Sequence, residues 1–251
     1  MLEEQRDRLA RFVAERAVQT NEVQRTWALL PAFLTVARSS RVPVELVELG
    51  PSAGLNLIWD RYGFRYGNGG WGDLDSDLVL DGEERSLVPR ALLEQRVEIA
   101  QRIGIDLEPI DVTTDAGARL LECFVWADQP ERIDRLRRAI ELLRRNPPEL
   151  IAGDYTELLP SLLARRRDDA LTVVFQTAST GYLSDEKYAR VLDALDKAGA
   201  EGPLAWISTR RLEEMESPGR FYELEGAIWP DGSRRVLGLM HYHGYWLDWR
   251  G

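Results

Sequence analysis

The chain has 251 residues, enough for one large α/β domain with a substantial core. Its net charge of −10 argues against a duplex nucleic-acid partner, which needs clustered positive charge to neutralise its phosphates. The single cysteine, Cys123, excludes a disulfide framework, and no apolar run approaches the roughly 20 residues of a membrane span. We therefore expect a cytoplasmic protein that acts on a small molecule and contacts neither nucleic acid nor membrane.

Two helices are predicted before the first strand. Residues 2–18 have the apolar spacing of an amphipathic helix. A second helix is expected to begin at Thr20 or Asn21, with Gln24 completing a capping-box pattern. We expect residues 1–43 to form helices that pack on an α/β domain over residues 44–251, the two making one structural unit.

The most informative stretch is Val44–Leu57, which has the pattern of a strand, a tight glycine turn and a helix. A short apolar run precedes Gly50 and Gly54, which allow the backbone to reverse before a helical period begins at Leu55. Such a turn directs free backbone N–H groups to the carboxyl edge of a parallel sheet. The pattern therefore favours an anionic or strongly polar ligand there.

Three interpretations of this turn are open. Glu48 at the strand end, with Gly50 and Gly54, resembles the first motif of S-adenosylmethionine-dependent methyltransferases, with Ser52 in place of the middle glycine. Gly50–Gly54 also matches Gly-x-Ser-x-Gly, the nucleophile elbow of serine hydrolases. The third interpretation is a βα turn whose glycines serve packing alone.

Residues 62–72 are expected to form a loop rich in glycine and aromatic residues. Four acidic residues with the spacing of a calcium loop follow: Asp73, Asp75, Asp77 and Glu84. However, Leu78 stands where the sharp turn of such a loop requires glycine. We therefore predict a polar loop that leads into a strand at residues 78–80, and no metal site.

Four further strands are predicted to alternate with helices, over residues 97–109, 150–155, 171–177 and 204–208. Asp106 ends the first of them, where a carboxylate can accept two hydrogen bonds from a vicinal diol; a surface acid is the alternative. The chain ends in a predicted hairpin, residues 221–229 and 235–246. This order predicts a doubly wound, Rossmann-like α/β sheet with N-terminal helices and a C-terminal β-hairpin.

The two histidines bear on the hydrolase alternative. A Ser52 triad needs a histidine late in the chain, and His241 and His243 are late enough. They fall inside a predicted strand, residues 237–245, whereas a triad histidine normally lies on a loop. A zinc site is also disfavoured because these two residues have no nearby third ligand.

Several segments together resemble one bacterial family, domain of unknown function 2332. They are Gln19-Thr20-Asn21-Glu22-Val23-x-Arg25 with Leu29-Leu30-Pro31, the stretch Glu48–Leu57 with Trp59-Asp60-Arg61-Tyr62, Gly104-Ile105-Asp106-Leu107-x-Pro109, Gly153-Asp154, and Val174-Phe175 with Thr177-Ala178 and Tyr182-Leu183. The resemblance spans nearly the whole chain. It implies a fold similar to class I S-adenosylmethionine-dependent methyltransferases. Family members typically carry a further helical segment before the first motif. If this chain lacks that segment, we expect exposed apolar surface and self-association.

The methyltransferase resemblance implies a set of site residues. Those expected to contact S-adenosylmethionine are Glu48, Gly50, Ser52, Gly54, Asn56, Asp106, Asp154, Tyr155 and Thr177. Of these, Asp106 would bind the ribose and Asp154 the adenine. The substrate-side candidates are Asn21, Glu22, Asp60 and Tyr62. We expect methyl transfer to an unknown small molecule; the alternatives are an esterase that uses Ser52 and a non-catalytic binding protein on a degenerate methyltransferase fold.

Overall fold

The computed structural model describes residues 5–6, 10, 18–211 and 221–251. The predicted helix over residues 2–18 lies almost entirely outside these ranges. Within them, no helix combines the length and the apolarity that a membrane span requires.

A nine-stranded mixed sheet forms the centre of the protein. Five mutually parallel strands make up one half: β1 (Val44–Leu49), β6 (Ile99–Asp106), β7 (Glu149–Ala152), β8 (Leu171–Gln176) and β9 (Leu204–Arg211). The other half contains β5 (Glu83–Ser86), β10 (Phe221–Ile228), β11 (Arg235–His241) and β12 (Trp246–Trp249). The order across the sheet is β5-β12-β11-β10-β9-β8-β1-β6-β7. The chain is thus a mixed α/β protein with a large, mostly parallel central sheet.

Helices cover both faces of the parallel half. They are α1 (Arg25–Arg38), α2 (Arg90–Leu93), α3 (Asp115–Glu122), α4 (Pro130–Arg144), α5 (Tyr155–Leu163) and α6 (Asp185–Glu201), with 3-10 helices at Leu55–Arg61 and Ser179–Tyr182. Side chains of β1 alternate between the faces: Leu46 joins the core with α1 and α4, and Val47 the core with α5 and α6. Glu48 is on the α1 side because it is two residues from Leu46.

Helix α1 is buried along most of its length. Phe33 stacks on Trp59, with ring centroids 4.8 Å apart, and meets Phe175 edge-on at 5.0 Å. These contacts join α1 to the 3-10 helix after β1 and to β8. Helix α1 is therefore part of the main core.

Three sequence predictions about local structure are wrong. Residues 62–72 contain a hairpin, β2 (Gly63–Tyr66) and β3 (Gly69–Trp71), which β4 (Val79–Leu80) extends into a small second sheet. Helix α1 starts at Arg25 and not at Thr20 or Asn21, and the side chain of its N-cap residue, Gln24, makes no capping hydrogen bond. The predicted second hairpin strand stops at His241, so His243 lies in a turn before β12. Consequently β10, β11 and β12 are three successive antiparallel strands, one more than the two strands of the predicted hairpin.

Candidate functional site

The strand order identifies one edge of the sheet as the place for a site. Strand β1 has β6 on one side and β8 on the other, so the direction in which the chain builds the sheet reverses between β1 and β8. Ligands of open α/β sheets bind outside the carboxyl ends of the strands at such a switch point. The glycine turn after β1 lies at this edge, beside the loops that follow β6 and β8.

Glu48 is the buried acid of this edge. Its side chain is 1% exposed, and desolvation raises the pKa of its carboxyl from 4.5 to about 8, although Asn56 and Arg25 oppose the shift. The amide of Asn56 donates to Oε1 of Glu48 over 3.3 Å. Oε2 of Glu48 and Oδ1 of Asn56 have no hydrogen-bond partner among the described residues. The carboxyl is therefore mostly protonated at pH 7 and can both donate and accept.

Gly50 brings the loops after β1 and β8 into contact. Its φ of +71° is in the left-handed region, and a Cβ at this position would lie 2.6 Å from Cβ of Ser179. The Ser179 hydroxyl donates to the carbonyl oxygen of Leu49 over 2.6 Å. Glycine is therefore required here both for conformation and for the close approach of the two loops.

Three backbone N–H groups that the sequence predicts to be free have partners in the protein. The Ser52 N–H donates to Oδ2 of Asp106 over 2.8 Å, and the Leu55 N–H donates to Oδ1 of Asn21 over 3.0 Å. The Gly54 N–H donates to the Pro51 carbonyl over 2.9 Å. The turn is thus fixed by the strand-end acid of β6 and by the segment before α1.

Two non-glycine residues have a strained backbone at this edge. Ser52 has φ +56° and Ala178, just after β8, has φ +79°. Positive φ outside glycine costs of order 1–3 kcal/mol and clusters at functional sites. The strain at Ser52 is what a nucleophile elbow requires, but its buried Oγ has no hydrogen-bond partner in the described part of the chain.

Neither histidine is paired with Ser52. Nδ1 of His241 accepts the backbone N–H of His243 over 3.0 Å, which closes the turn before β12. Nδ1 of His243 lies 3.5 Å from Oε2 of Glu22. The structure therefore does not assemble the Ser-His pair that the hydrolase interpretation needs.

Asp106 and Asp154 both lie at the carboxyl edge. Asp106 accepts the N–H groups of Ser52 and Glu108, on different oxygens. Asp154 caps helix α5 and pairs with Nζ of Lys187 at 2.7 Å, a hydrogen bond that lowers the pKa of the carboxyl. Each carboxylate retains lone pairs for a ligand hydroxyl or amine, because a carboxylate accepts up to four hydrogen bonds.

Of three other candidates, Asp60 and Tyr62 have structural partners and Tyr155 is buried. Burial raises the pKa of Tyr155, which follows Asp154, to about 12. Asp60 forms an ion pair with Arg102 of β6 at 2.6 Å. Tyr62 is fully buried, and its hydroxyl donates to the Leu55 carbonyl over 2.7 Å. The structure therefore brings Asp60 and Tyr62 to the support of the turn rather than to an open surface.

The segment before α1 meets the same edge. Arg25, which is 5% exposed, donates to the carbonyl oxygens of Tyr242 over 3.0 Å and Thr177 over 3.2 Å. Asn21 reaches the turn through Leu55, as described above. Segment 21–25 therefore joins β8 and the glycine turn to the loop between β11 and β12.

Glu22 is held in a buried cluster of charged groups. Its Oε2 lies 2.5 Å from a guanidinium nitrogen of Arg132, and its Oε1 lies 3.6 Å from Arg135. His243 is the third neighbour. Sequence reasoning missed Arg132, Arg135 and His243 as neighbours of Glu22. Arg25 belongs to the first family motif, and its place in that motif is the sequence signal that could have identified it as a site residue.

The comparisons with known proteins bear on the family. A model of the family described as "Uncharacterized protein conserved in bacteria (DUF2332)" matches residues 1–249. The chain belongs to this family. No curated protein matches the DUF2332 chain. Among solved structures it is similar to protein LPL1258 from Legionella pneumophila str. Philadelphia 1, of the family DUF519, at 12% identity and a TM-score of 0.34, over 77% of this chain and 69% of that chain.

Proposed function

We propose that this protein binds S-adenosylmethionine at the carboxyl edge of β1, β6 and β8 and transfers its methyl group to a small molecule. The observation that carries the proposal is the placement of Glu48 and the Gly50 turn at the switch point of the sheet, with the turn hydrogen-bonded to Asp106.

Orphaned buried polar atoms test whether the residues present fit this cofactor. Oε2 of Glu48, Oγ of Ser52 and Oδ1 of Asn56 are all buried without hydrogen-bond partners among the described residues. Such atoms are costly unless a ligand or water pairs with them. The donor set suits the amino and carboxylate groups of a methionyl moiety, because a protonated Glu48 can donate as well as accept. The space beside Gly50, in contrast, is occupied by Ser179 and is not a ligand cradle.

The remaining roles follow from chemistry and placement. Asp106 would accept from the ribose hydroxyls, and Asp154 and Tyr155 would lie towards the adenine. Thr177, whose carbonyl binds Arg25, would lie beside the methionyl end, while Gly54 and Asn56 shape the turn. Bound S-adenosylmethionine supplies an electrophilic methyl group. The protein's own task is then to exclude water and align the nucleophile, and positioning of this kind supplies much of the rate.

Calorimetric titration with S-adenosylmethionine and its demethylated product tests the proposal. We expect micromolar binding that weakens about tenfold or more in Asp106→Asn, which keeps an acceptor for the Ser52 N–H but loses the charge. Asp193→Asn, an exposed residue of α6 that pairs with Lys197, is the matched control and should bind as the parent does. Absence of binding by folded parent protein would contradict the proposal and favour a non-catalytic binding protein.

The strained backbone of Ser52 keeps the esterase as a second candidate, and a Ser52→Gly variant separates the two. Glycine relieves the strain at φ +56° but removes the Ser52 Oγ, one of several polar atoms offered to the cofactor, so a cofactor site should keep its affinity to within about tenfold. An esterase would lose its nucleophile and with it all hydrolysis of a p-nitrophenyl ester. We expect Ser52→Gly to retain S-adenosylmethionine binding; ester hydrolysis by the parent that vanishes in this variant would reverse the assignment.

A further inference from the structure

A narrow cleft separates residues 20–23 from helix α4. Three charged side chains line it, Glu22, Arg132 and Arg135, and an apolar wall faces them, formed by Leu121, Phe124 and Val125. We call this the arginine cleft. The cleft itself admits only a group about the size of one water molecule, such as one oxygen of an oxyanion, so a ligand with both an anionic and an apolar part would lie across its mouth.

The charges of the arginine cleft do not balance. Among the described residues that line it, two guanidinium groups face one carboxylate, although the protein as a whole carries a net charge of −10. Arg132 is 8% exposed, and its Nε has no hydrogen-bond partner among the residues that the structure describes. Arg135 approaches Glu22 only to 3.6 Å. A buried cation without full compensation is unfavourable, so a second anion would stabilise the cleft.

The apolar wall continues towards the surface. Phe124 and Val125 are partly buried, and Trp126, the next residue, is 75% exposed. An apolar chain or ring attached to an anion could cover these side chains while the anion meets the arginines. An inorganic anion would leave the wall uncovered, so the cleft favours an organic anion.

The arginine cleft adjoins the edge where we place the cofactor. Asn21 lines the cleft, and its side chain accepts the N–H of Leu55 in the glycine turn. We infer that the arginine cleft binds an oxyanion carried on an apolar chain or ring, and that this is the substrate class of the protein. The assignment as substrate rests on the proposed function, whereas binding of the anion does not.

Titration of the full chain with three eight-carbon compounds tests the inference. Octanoate and octyl phosphate carry the two common oxyanions, and octanol carries none. We expect saturable binding of at least one anion, about tenfold or more tighter than octanol, since charge-assisted pairing with arginine supplies the difference. The tighter anion identifies carboxylate or phosphate as the natural group. Equal binding of octanol and both anions, or no binding by folded protein, would overturn the inference.

Variants on one helix separate recognition from a general charge effect. Arg135→Gln should weaken binding of the anion about tenfold, because it removes one of the two guanidinium groups. Arg138→Gln, three residues along the same helix, removes an exposed arginine paired with Asp134 and should change binding less than about twofold. Equal losses in both variants would show that only net charge matters and would contradict the assignment.

Glu22→Gln distinguishes an anion site from a merely structural ion cluster, because only an anion site would bind its ligand more tightly in this variant. The Glu22 carboxylate occupies the space between the arginines, so its removal should tighten anion binding about tenfold. Added octanoate should also raise the melting temperature of Glu22→Gln by more than that of the parent. Weaker binding in this variant would contradict the inference.

The outcomes for the cleft and for the proposed function are independent. Anion binding without S-adenosylmethionine binding would support the arginine cleft and refute methyl transfer. S-adenosylmethionine binding without anion binding would keep methyl transfer and refute this substrate class. Trp126→Phe, read by quenching of tryptophan fluorescence, shows whether the apolar part covers the exposed indole.

Discussion

Glu48→Gln is expected to stabilise the protein by about 3–5 kcal/mol at pH 8 and to leave its stability at pH 4.5 nearly unchanged. The pKa of the Glu48 carboxyl is about 8 in the folded protein, against an ordinary 4.5. Between these values the folded protein holds a proton that the unfolded chain has released. The contribution of Glu48 is therefore fully present below pH 4.5, declines as the pH rises to 8, and is level above it.

Glutamine removes this pH dependence because its amide cannot ionise, while its oxygen can still accept from Asn56. Urea unfolding of the parent and the variant at pH 5, 6, 7 and 8 measures the difference. Glu141→Gln, an exposed residue of α4, is the control and should differ from the parent by less than about 0.5 kcal/mol at every pH. Parallel stability curves for the parent and Glu48→Gln would refute the assignment.

Glu22→Gln is expected to have the opposite effect and to destabilise the protein by about 3 kcal/mol at pH 7. Both Glu22 and Arg132 are more than nine-tenths buried, and they are 2.5 Å apart. Glutamine leaves the Arg132 guanidinium buried with no counter-charge among the residues that the structure describes. Removal of one partner of a buried pair costs far more than the pair itself contributes.

Glu122→Gln is the matched control for this prediction. Glu122 pairs with Arg137 at 2.8 Å, and the Arg137 side chain is 62% exposed. Exposed pairs contribute about 0–1 kcal/mol, so this variant should unfold at nearly the same urea concentration as the parent. Equal effects of the two substitutions would show that burial of the Glu22 cluster does not matter.

The alternation of strands and helices could be predicted because the parallel strands are short segments rich in aliphatic residues, of which β8 is the clearest. Strands β1, β8 and β9 are buried on both faces, and their aliphatic residues, on both sides of each strand, indicate this burial in the sequence. The carboxyl ends of such strands share one edge, so Glu48 and Asp106 could be placed together from the sequence. In the structure, Asp106 accepts the Ser52 N–H of the turn, and Glu48 accepts the amide of Asn56 just after the turn.

The hairpin of β2 and β3 could not be predicted because glycine carries no side chain. Gly69 and Gly70 supply two of the three β3 positions that pair with β2, so no alternation of apolar and polar residues marks the strand. The pairing depends on the aromatic core below it, where Phe64 and Trp71 pack. Composition therefore indicated a loop.

The Glu22 cluster could not be predicted from the sequence for a different reason. Arg132 is 110 positions along the chain from Glu22, and Arg25 reaches a carbonyl 217 positions away. Asn21 is a residue type that commonly caps helices, but its side chain accepts the Leu55 N–H of the glycine turn instead. The local sequence pattern cannot distinguish a capping side chain from one that bonds to the turn, because the partner in the second case lies in a distant segment of the chain.

Segment 21–25 also sets how the molecule opens. The Leu55 amide is bonded to Asn21, while Arg25 and Gln24 bond to carbonyl oxygens of the β11–β12 turn. Detachment of this one segment would therefore release the glycine turn and the β11–β12 turn in a single step. Hydrogen exchange at the Leu55 amide then reports a shared opening event, and a ligand that contacts either side slows exchange on both.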